Sequence, residues 1–433
     1  MPTKSSTELA IEKIQGPCLI KAGAGTGKTY TIQKKVAKLV NESICKPKEI
    51  LCLTFSNEAT NNLKRNVALE LKTASEVTIK TFHAFCADIL KELGNKIGIS
   101  PDFDILQPDD AKVMMHKYLE VTPYNSNRYV QSISTAKDFG ITIEKLEKYI
   151  ESLKSKFKDV KNLDLLAQEM DIKFKTLHLM PADTKEEKQE IKKNKAEMKL
   201  FIEDYEEYVK YRDFVSAWKQ YEKLKKDKNL QDYSDLNFNA LNILNTYGEG
   251  DIAKKYKYIV IDEFQDTNKL QFDLIEILAR DHKNITVVGD PNQSIYAFRG
   301  SFKEVFGVFE NTFNLEKSDV FNLDKSRRSP NKILNISHEL IKNNYPNPKE
   351  CIKTENFEGR EGEKIKIYEL KNGAEEARKI AEITEQEIEA GTPLDQICIL
   401  YRTHAQSKLI EQALEARNIP VILGIQSKDE YMS

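Results

Sequence analysis

No uninterrupted apolar stretch in this chain approaches the ~20 residues that a membrane-spanning helix requires. The amino-terminal MPTKSSTELA has none of the apolar centre of a signal peptide. No membrane partner is therefore expected, and the expected location is cytoplasmic. A C-x-x-C pair is missing as well. Cys18, Cys45, Cys52, Cys86, Cys351 and Cys398 are scattered, several of them inside apolar runs where a thiol serves as a small hydrophobe. An excess of one charge is also lacking: 66 lysines and arginines face 68 aspartates and glutamates, for a formal charge of −2. Nothing global announces a polyanionic partner, so any nucleic-acid surface must be local. Internal repeats and low-complexity tails are absent.

What is present is a chain of 433 residues, 40% hydrophobic, enough for roughly two to four domains with ordinary cores. Its amino end alternates short β-rich runs with helical patterns: Cys18 to Lys21, a helix with Ile32, Val36, Leu39 and Val40 on one face, Ile50 to Phe55, another helix, then Val77 to Thr81. Such alternation implies a parallel sheet covered by helices on both faces. Tyr258 to Ile261 and Ile285 to Val288 read as further strands buried on both sides. Between about 101 and 230 the pattern turns helical and highly charged, with no convincing strand, which suggests an insertion. After Gly300 a second α/β unit is expected, with strands near Val320 to Leu323, Ile365 to Leu370, Ile397 to Tyr401 and Pro420 to Leu423. Helices are expected there at Ala374 to Ala390 and Ala405 to Ala416.

The strongest local signal follows the first strand. Ala22, Gly23, Ala24, Gly25, Thr26, Gly27, Lys28 and Thr29 form a glycine-rich turn that opens a helix. There, successive backbone N–H groups, the positive end of the helix dipole and an ammonium converge on one anion. Lys28 can reach the β- and γ-oxygens of a nucleoside triphosphate, and Thr29 offers a hydroxyl to Mg²⁺. The strand at 258–261 ends in Asp262-Glu263-Phe264-Gln265-Asp266-Thr267. Asp262 is placed to hold Mg²⁺, and Glu263 to orient and deprotonate the attacking water. Past the next strand, Gln293 can sense the γ-phosphate. Tyr296, Phe298 and Arg299 interleave aromatic faces with a cation, as a base-stacking platform does.

Together these residues resemble the UvrD/Rep-type superfamily 1 DNA helicases. AGAGTGKT is similar to that family's motif I, Thr54 to Ala59 to Ia, Thr81-Phe82-His83 to Ib, DEFQDT to II and GDPNQSIYAFRG to III. Asp232-Tyr233-Ser234-Asp235-Leu236 resembles the element before motif II, and Arg328-Ser329-Pro330 resembles motif IV. The likeness runs essentially from end to end. It implies a P-loop NTPase of α/β class: a RecA-like parallel sheet from residues 1–100 and 231–305, a helical insertion at 101–230, and a partial second RecA-like domain at 306–433. It implies ATP and Mg²⁺ as cofactors and translocation on single-stranded DNA, or on a duplex with a 3′ overhang, with 3′-to-5′ polarity and a place in repair or recombination. Phe55, Asn57, Thr81, His83, Tyr296, Phe298 and Arg299 would face the DNA, and Arg328 would reach the γ-phosphate from the second domain. His83 also reads as a helix-start residue, and Phe55 as core.

Three departures from the family carry expectations of their own. Thr7 stands where the family places a glutamine that reads the adenine edge. Tyr30 and Arg327 exchange the family's arginine and tyrosine positions, so they are expected to sandwich the base with the partners swapped. No H-x-A-K-G-x-E segment and no later arginine motif is found. The second domain is therefore expected to be completed by another polypeptide. Without it, a nucleotide-dependent DNA-binding protein or a split-enzyme fragment with little unwinding of its own is the competing reading.

Overall fold

The computed structural model describes residues 4–423 except 120, 158, 159, 161, 177–183, 248, 249 and 296–303. The chain divides into two compact units, Met1–Ser329 with Ser337–Gly359, and Pro330–Ile336 with Arg360–Ser433.

The first unit is built on a parallel sheet of β1 (Pro17–Ala22), β2 (Ile50–Thr54), β3 (Thr78–Thr81), β6 (Tyr258–Ile261), β7 (Ile285–Gly289) and β8 (Val320–Leu323), in the order β3-β2-β6-β7-β1-β8. Side chains alternate across it as strand geometry requires. In β2, Ile50 and Cys52 enter one core while Leu51 and Leu53 enter the other; in β6, Tyr258 and Val260 oppose Ile259 and Ile261 in the same way. One face is covered by α1 (Ser6–Glu12), α2 (Lys28–Asn41) and α3 (Asn57–Glu70) through Ala10, Ile32, Val36, Leu63 and Val67. The other is covered by α4 (Phe82–Leu93), α10 (Tyr233–Tyr247), α12 (Lys269–Ala279) and α13 (Val305–Thr312). A sheet buried on both faces needs continuously apolar strands, which is what β2, β6 and β7 present.

Two of the sequence expectations are corrected here. Val320 to Leu323 forms a strand, but as an edge of the first sheet: Leu19 pairs with Val320 and Ala22 with Leu323. A short apolar run fits any parallel edge, and the edge beside β1 is the one it takes. Residues 101–230 do contain a strand: β4 (Asp104–Ile105) pairs in parallel with β5 (Leu230–Gln231), so the entry and exit of the insertion are strapped together.

The insertion consists of α5 (Pro108–Leu119), α6 (Pro123–Asp138), α7 (Ile143–Ser155), α8 (Leu163–Thr176) and α9 (Lys185–Asp227). Met114, Met115, Ile133, Trp218 and Tyr221 form its core. It is joined to α10 by buried charge: Lys137 of α6 pairs with Asp235, and Lys225 of α9 meets Asp232 at 2.7 Å and Asp235 at 2.5 Å. Each ammonium faces more than one carboxylate, which is what makes its burial tolerable.

In the second unit, α15 (Gly373–Glu389) packs on α16 (His404–Glu415) through Ala377, Ala381, Ile410 and Leu414. The strands expected at 365–370, 397–401 and 420–423 are absent as ladders among the described residues; Ile367, Leu400 and Ile422 are each more than nine-tenths exposed, while Ile399, Tyr401 and Val421 pack against the helix pair. β-rich composition makes a strand only where a neighbouring edge satisfies its backbone. No helix among the described residues is long and apolar enough to cross a membrane.

Candidate nucleotide site and motor residues

β1 delivers the chain at Ala22 into a turn whose tightness depends on Gly25 at φ 73° and Gly27 at φ 94°, both in the left-handed region. Gly23 faces Thr354, whose hydroxyl lies 2.7 Å from where a Cβ would be, so the loop closes only without one. Thr26 folds inward, its hydroxyl donating to the Gly23 carbonyl at 2.8 Å. Gly27 sits at the N-cap of α2 and has no side chain with which to satisfy the helix's first amides. These N–H groups and the helix dipole form a phosphate cradle. Lys28 and Thr29 open the helix beside it.

The acids arrive from β6. Asp262 is buried at the strand's carboxyl end, held by its own N–H donating to Leu53 O at 2.9 Å. Burial, and then the neighbouring Glu263, push its carboxyl up to about 6. A hydroxyl and a buried carboxylate are hard oxygen donors that suit Mg²⁺, and a divalent cation would return Asp262 to its ionised form. The residues present thus fit the expected metal: Thr29 and Asp262 would hold it, and it would neutralise phosphate charge.

Glu263 adopts φ 48° and ψ 48°, a left-handed conformation that costs a non-glycine residue on the order of 1 kcal/mol or more. This turn aims its carboxylate back at the loop, where Glu263 Oε2 meets Lys28 Nζ at 2.6 Å. Gln265 Nε2 donates to the same Oε2 at 2.8 Å, and Gln265 Oε1 accepts from the Asp290 backbone N–H at 2.9 Å. Asp290 in turn accepts from Gln293 Nε2 at 2.7 Å and from the Asn292 N–H at 3.0 Å. A continuous polar chain therefore runs from Lys28 through Glu263, Gln265 and Asp290 to Gln293, across the carboxyl ends of β1, β6 and β7.

Gln265 and Asp290 were not singled out from sequence. Both lie inside the DEFQDT and GDPNQ segments, and the available signal was a carboxamide two residues after an acid and an acid three residues before Gln293.

Arg328, expected to reach in from the second domain, belongs to the first unit. Ser326 Oγ donates to Ala24 O at 3.0 Å, and the Arg327 N–H donates to Gly25 O at 2.9 Å, fixing this segment on the phosphate loop with Arg328 against Gly25. The Arg327 guanidinium lies 4.1 Å above the ring of Phe357, while half-exposed Tyr30 faces Lys34 on its own helix.

Of the expected DNA residues, Asn57 is exposed at the start of α3 and Phe55 half-buried before it. Thr81 is buried, and its hydroxyl caps α4 by accepting from the Ala84 N–H at 3.2 Å. His83 follows on α4, its imidazole pushed down to about 4 by burial, with its ring 5.1 Å from that of Tyr233. Tyr296, Phe298 and Arg299 lie outside the described residues.

A phosphate loop feeding α2, with paired acids on a neighbouring strand of a parallel sheet, defines a P-loop NTPase fold. The UvrD/REP helicase N-terminal domain family matches residues 3–314, and the UvrD-like helicase C-terminal domain family matches residues 321–428. The chain belongs to the UvrD/REP helicase family. The ATP-dependent DNA helicases PcrA of Staphylococcus epidermidis and Staphylococcus aureus are each 29% identical to it over 414 residues, 95% of this chain and 49% of theirs. The chain thus spans about half the length of the curated relatives it matches.

Proposed function

We propose that this chain is the ATP-consuming part of a DNA helicase that moves along single-stranded DNA in the 3′-to-5′ direction, working in the cytoplasm in repair or recombination. The observation that carries this reading is the polar chain from Lys28 to Gln293, because it links the phosphate cradle to three strand ends that must respond together when a γ-phosphate arrives. In this reading the incoming triphosphate takes Lys28 away from Glu263. The released carboxylate, still held by Gln265, then orients a water and accepts its proton. Gln293, tied to Asp290, registers the γ-phosphate, and Arg328 supplies positive charge to it. Thr29 and Asp262 hold Mg²⁺, and Tyr30 and Arg327 flank the base. In this reading Phe55, Asn57, Thr81 and His83 contact the DNA, and the aromatic and cationic chemistry of Tyr296, Phe298 and Arg299 suits the same task.

The deciding experiment is ATP hydrolysis with and without single-stranded DNA, comparing the wild type with Lys28→Ala and Glu263→Gln. Strong DNA stimulation that both substitutions abolish supports the motor. Nucleotide binding with no turnover under any DNA would sink it.

A second reading is favoured by the second unit, where residues 365–370, 397–401 and 420–423 form no strand ladder among the described residues. A nucleotide-binding half-motor that turns over slowly would need a polypeptide carrying the family's later motifs to pair with them. It predicts that ATP binds normally while DNA stimulates hydrolysis only when such a polypeptide is added.

A further inference from the structure

Resting on the reading above that the base lies between Tyr30 and Arg327, we infer that Phe357 is the positioning residue that sets the plane of Arg327. A guanidinium stacks on a base only when held parallel to it, and an exposed arginine otherwise samples many rotamers. Here the Arg327 guanidinium carbon already lies over the Phe357 ring, 4.1 Å from its centroid. The side of the guanidinium away from that ring is the one a base would meet.

Both residues are set by a short ribbon. β9 (Lys325–Ser326) pairs in parallel with β10 (Glu355–Asn356), and the Phe357 N–H donates to Ser326 O at 2.8 Å, extending the pairing by one residue. Asn356 Nδ2 donates to Ser329 O at 3.0 Å, closing the turn from the far side. The ribbon is pinned to the phosphate loop by Ser326 Oγ to Ala24 O and by the Arg327 N–H to Gly25 O. Thr354, at the start of the same segment, faces Gly23. The aromatic ring, the guanidinium and the phosphate cradle thus share one hydrogen-bonded frame. Phe357 is 54% exposed, far from what packing alone asks of a phenylalanine. Its visible work is the cation–π contact.

Affinities for Mg·ATP and for Mg·tripolyphosphate, which lacks base and sugar, are compared by calorimetry in the wild type, Phe357→Ala, Phe357→Tyr, Arg327→Ala and the Phe357→Ala/Arg327→Ala double variant. The exposed ring makes all of these compatible with folding, and unchanged melting temperatures check it. The expected result is that Phe357→Ala weakens ATP about three- to tenfold, the scale of a cation–π contact. Tripolyphosphate affinity stays within twofold, Phe357→Tyr restores ATP binding, and the double variant is no weaker than Arg327→Ala. If Arg327→Ala weakens ATP while Phe357→Ala does not, or if Phe357→Ala weakens tripolyphosphate equally, the positioning role is overturned and the base site stands. If Arg327→Ala itself leaves ATP affinity unchanged, the base site fails and the positioning role falls with it.

Discussion

Lys28 cannot neutralise a γ-phosphate while its ammonium is held by Glu263 at 2.6 Å. Charge-assisted bonds of this length are among the stronger ones a side chain makes, so part of the nucleotide's binding energy is used to separate the pair. Glu263→Gln removes that competition and the proton acceptor together. It is expected to keep or slightly raise ATP affinity and to cut turnover by about 10² to 10⁴; calorimetry and single-turnover phosphate release measure the two separately, and retained turnover would remove Glu263 from its role. Thr7 leads to a second expectation. A carboxamide presents a paired donor and acceptor to a base edge, worth about 1 to 3 kcal/mol of discrimination, whereas one hydroxyl presents no such pair. Stacking accepts any base. ATP and GTP affinities are therefore expected to agree within about tenfold, since 1.4 kcal/mol is a factor of ten; a hundredfold preference for ATP would show that another group reads the edge. The placement of Lys28 at the start of α2 and of Asp262 and Glu263 at the end of β6 was legible in the sequence, because residue type and spacing fix it. Gln265 and Asp290 were less so, because a carboxamide bridging two motifs shows its purpose only when both strand ends are seen side by side.

The joint between the insertion and the first unit depends on buried charge at a few element ends. Lys225 is almost fully buried between Asp232 and Asp235, so Lys225→Ala leaves Lys137, among the described residues, as the one cation facing Glu222, Asp232 and Asp235 and is expected to cost about 3 to 5 kcal/mol in denaturant unfolding. A cost near zero would mean water already reaches the cluster. Asp138, the last residue of α6, accepts from Asn268 Nδ2 at 3.1 Å, and Asn268 is the N-cap of α12 directly after Thr267. Burial, and then Asp232, push the Asp138 carboxyl up to about 7, with Lys137 opposing. A carboxyl whose folded value lies above its unfolded value near 4 contributes fully only below that unfolded value, and the contribution is lost as pH rises toward 7. Asp138→Asn keeps the acceptor for Asn268 and cannot ionise. It is expected to melt near the wild-type temperature at pH 4.5 and above it at pH 8, by about 2 kcal/mol or less in stability; an equal shift at both pH values would exclude ionisation as the cause. At this scale the strands β1, β2, β6 and β7 were readable as short apolar runs, and α15 and α16 as helical patterns. The partner of β8 was not, since an apolar run does not say which edge it will join. The β4–β5 strap was invisible because two-residue strands carry no periodicity.

Across the whole chain the charges nearly cancel, so a DNA-binding surface has to be assembled locally rather than by net attraction. The segments of the second unit that form no ladder are also a matter of the whole molecule. Residues 365–370, 397–401 and 420–423 make no ladder among the described residues, and Ile367, Leu400 and Ile422 along them face water although Ile399, Tyr401 and Val421 pack on α15 and α16. Segments outside any ladder can still add to a strand of another chain. In the chain alone, amides in these three segments are expected to exchange with solvent orders of magnitude faster than those of β1, β2 and β6, whose ladders lie inside a sheet covered on both faces. Adding a polypeptide that carries the family's later motifs is expected to slow exchange in all three together. ATP turnover is expected to rise with it, because an arginine delivered to the transferring phosphate can be worth about 10³ to 10⁵ in rate. Protection without added turnover would assign the pairing to stability alone. Turnover already at full rate in the unsupplemented chain, with the three segments still exchanging freely, would show that Arg328 and the Lys28–Gln293 network suffice for hydrolysis.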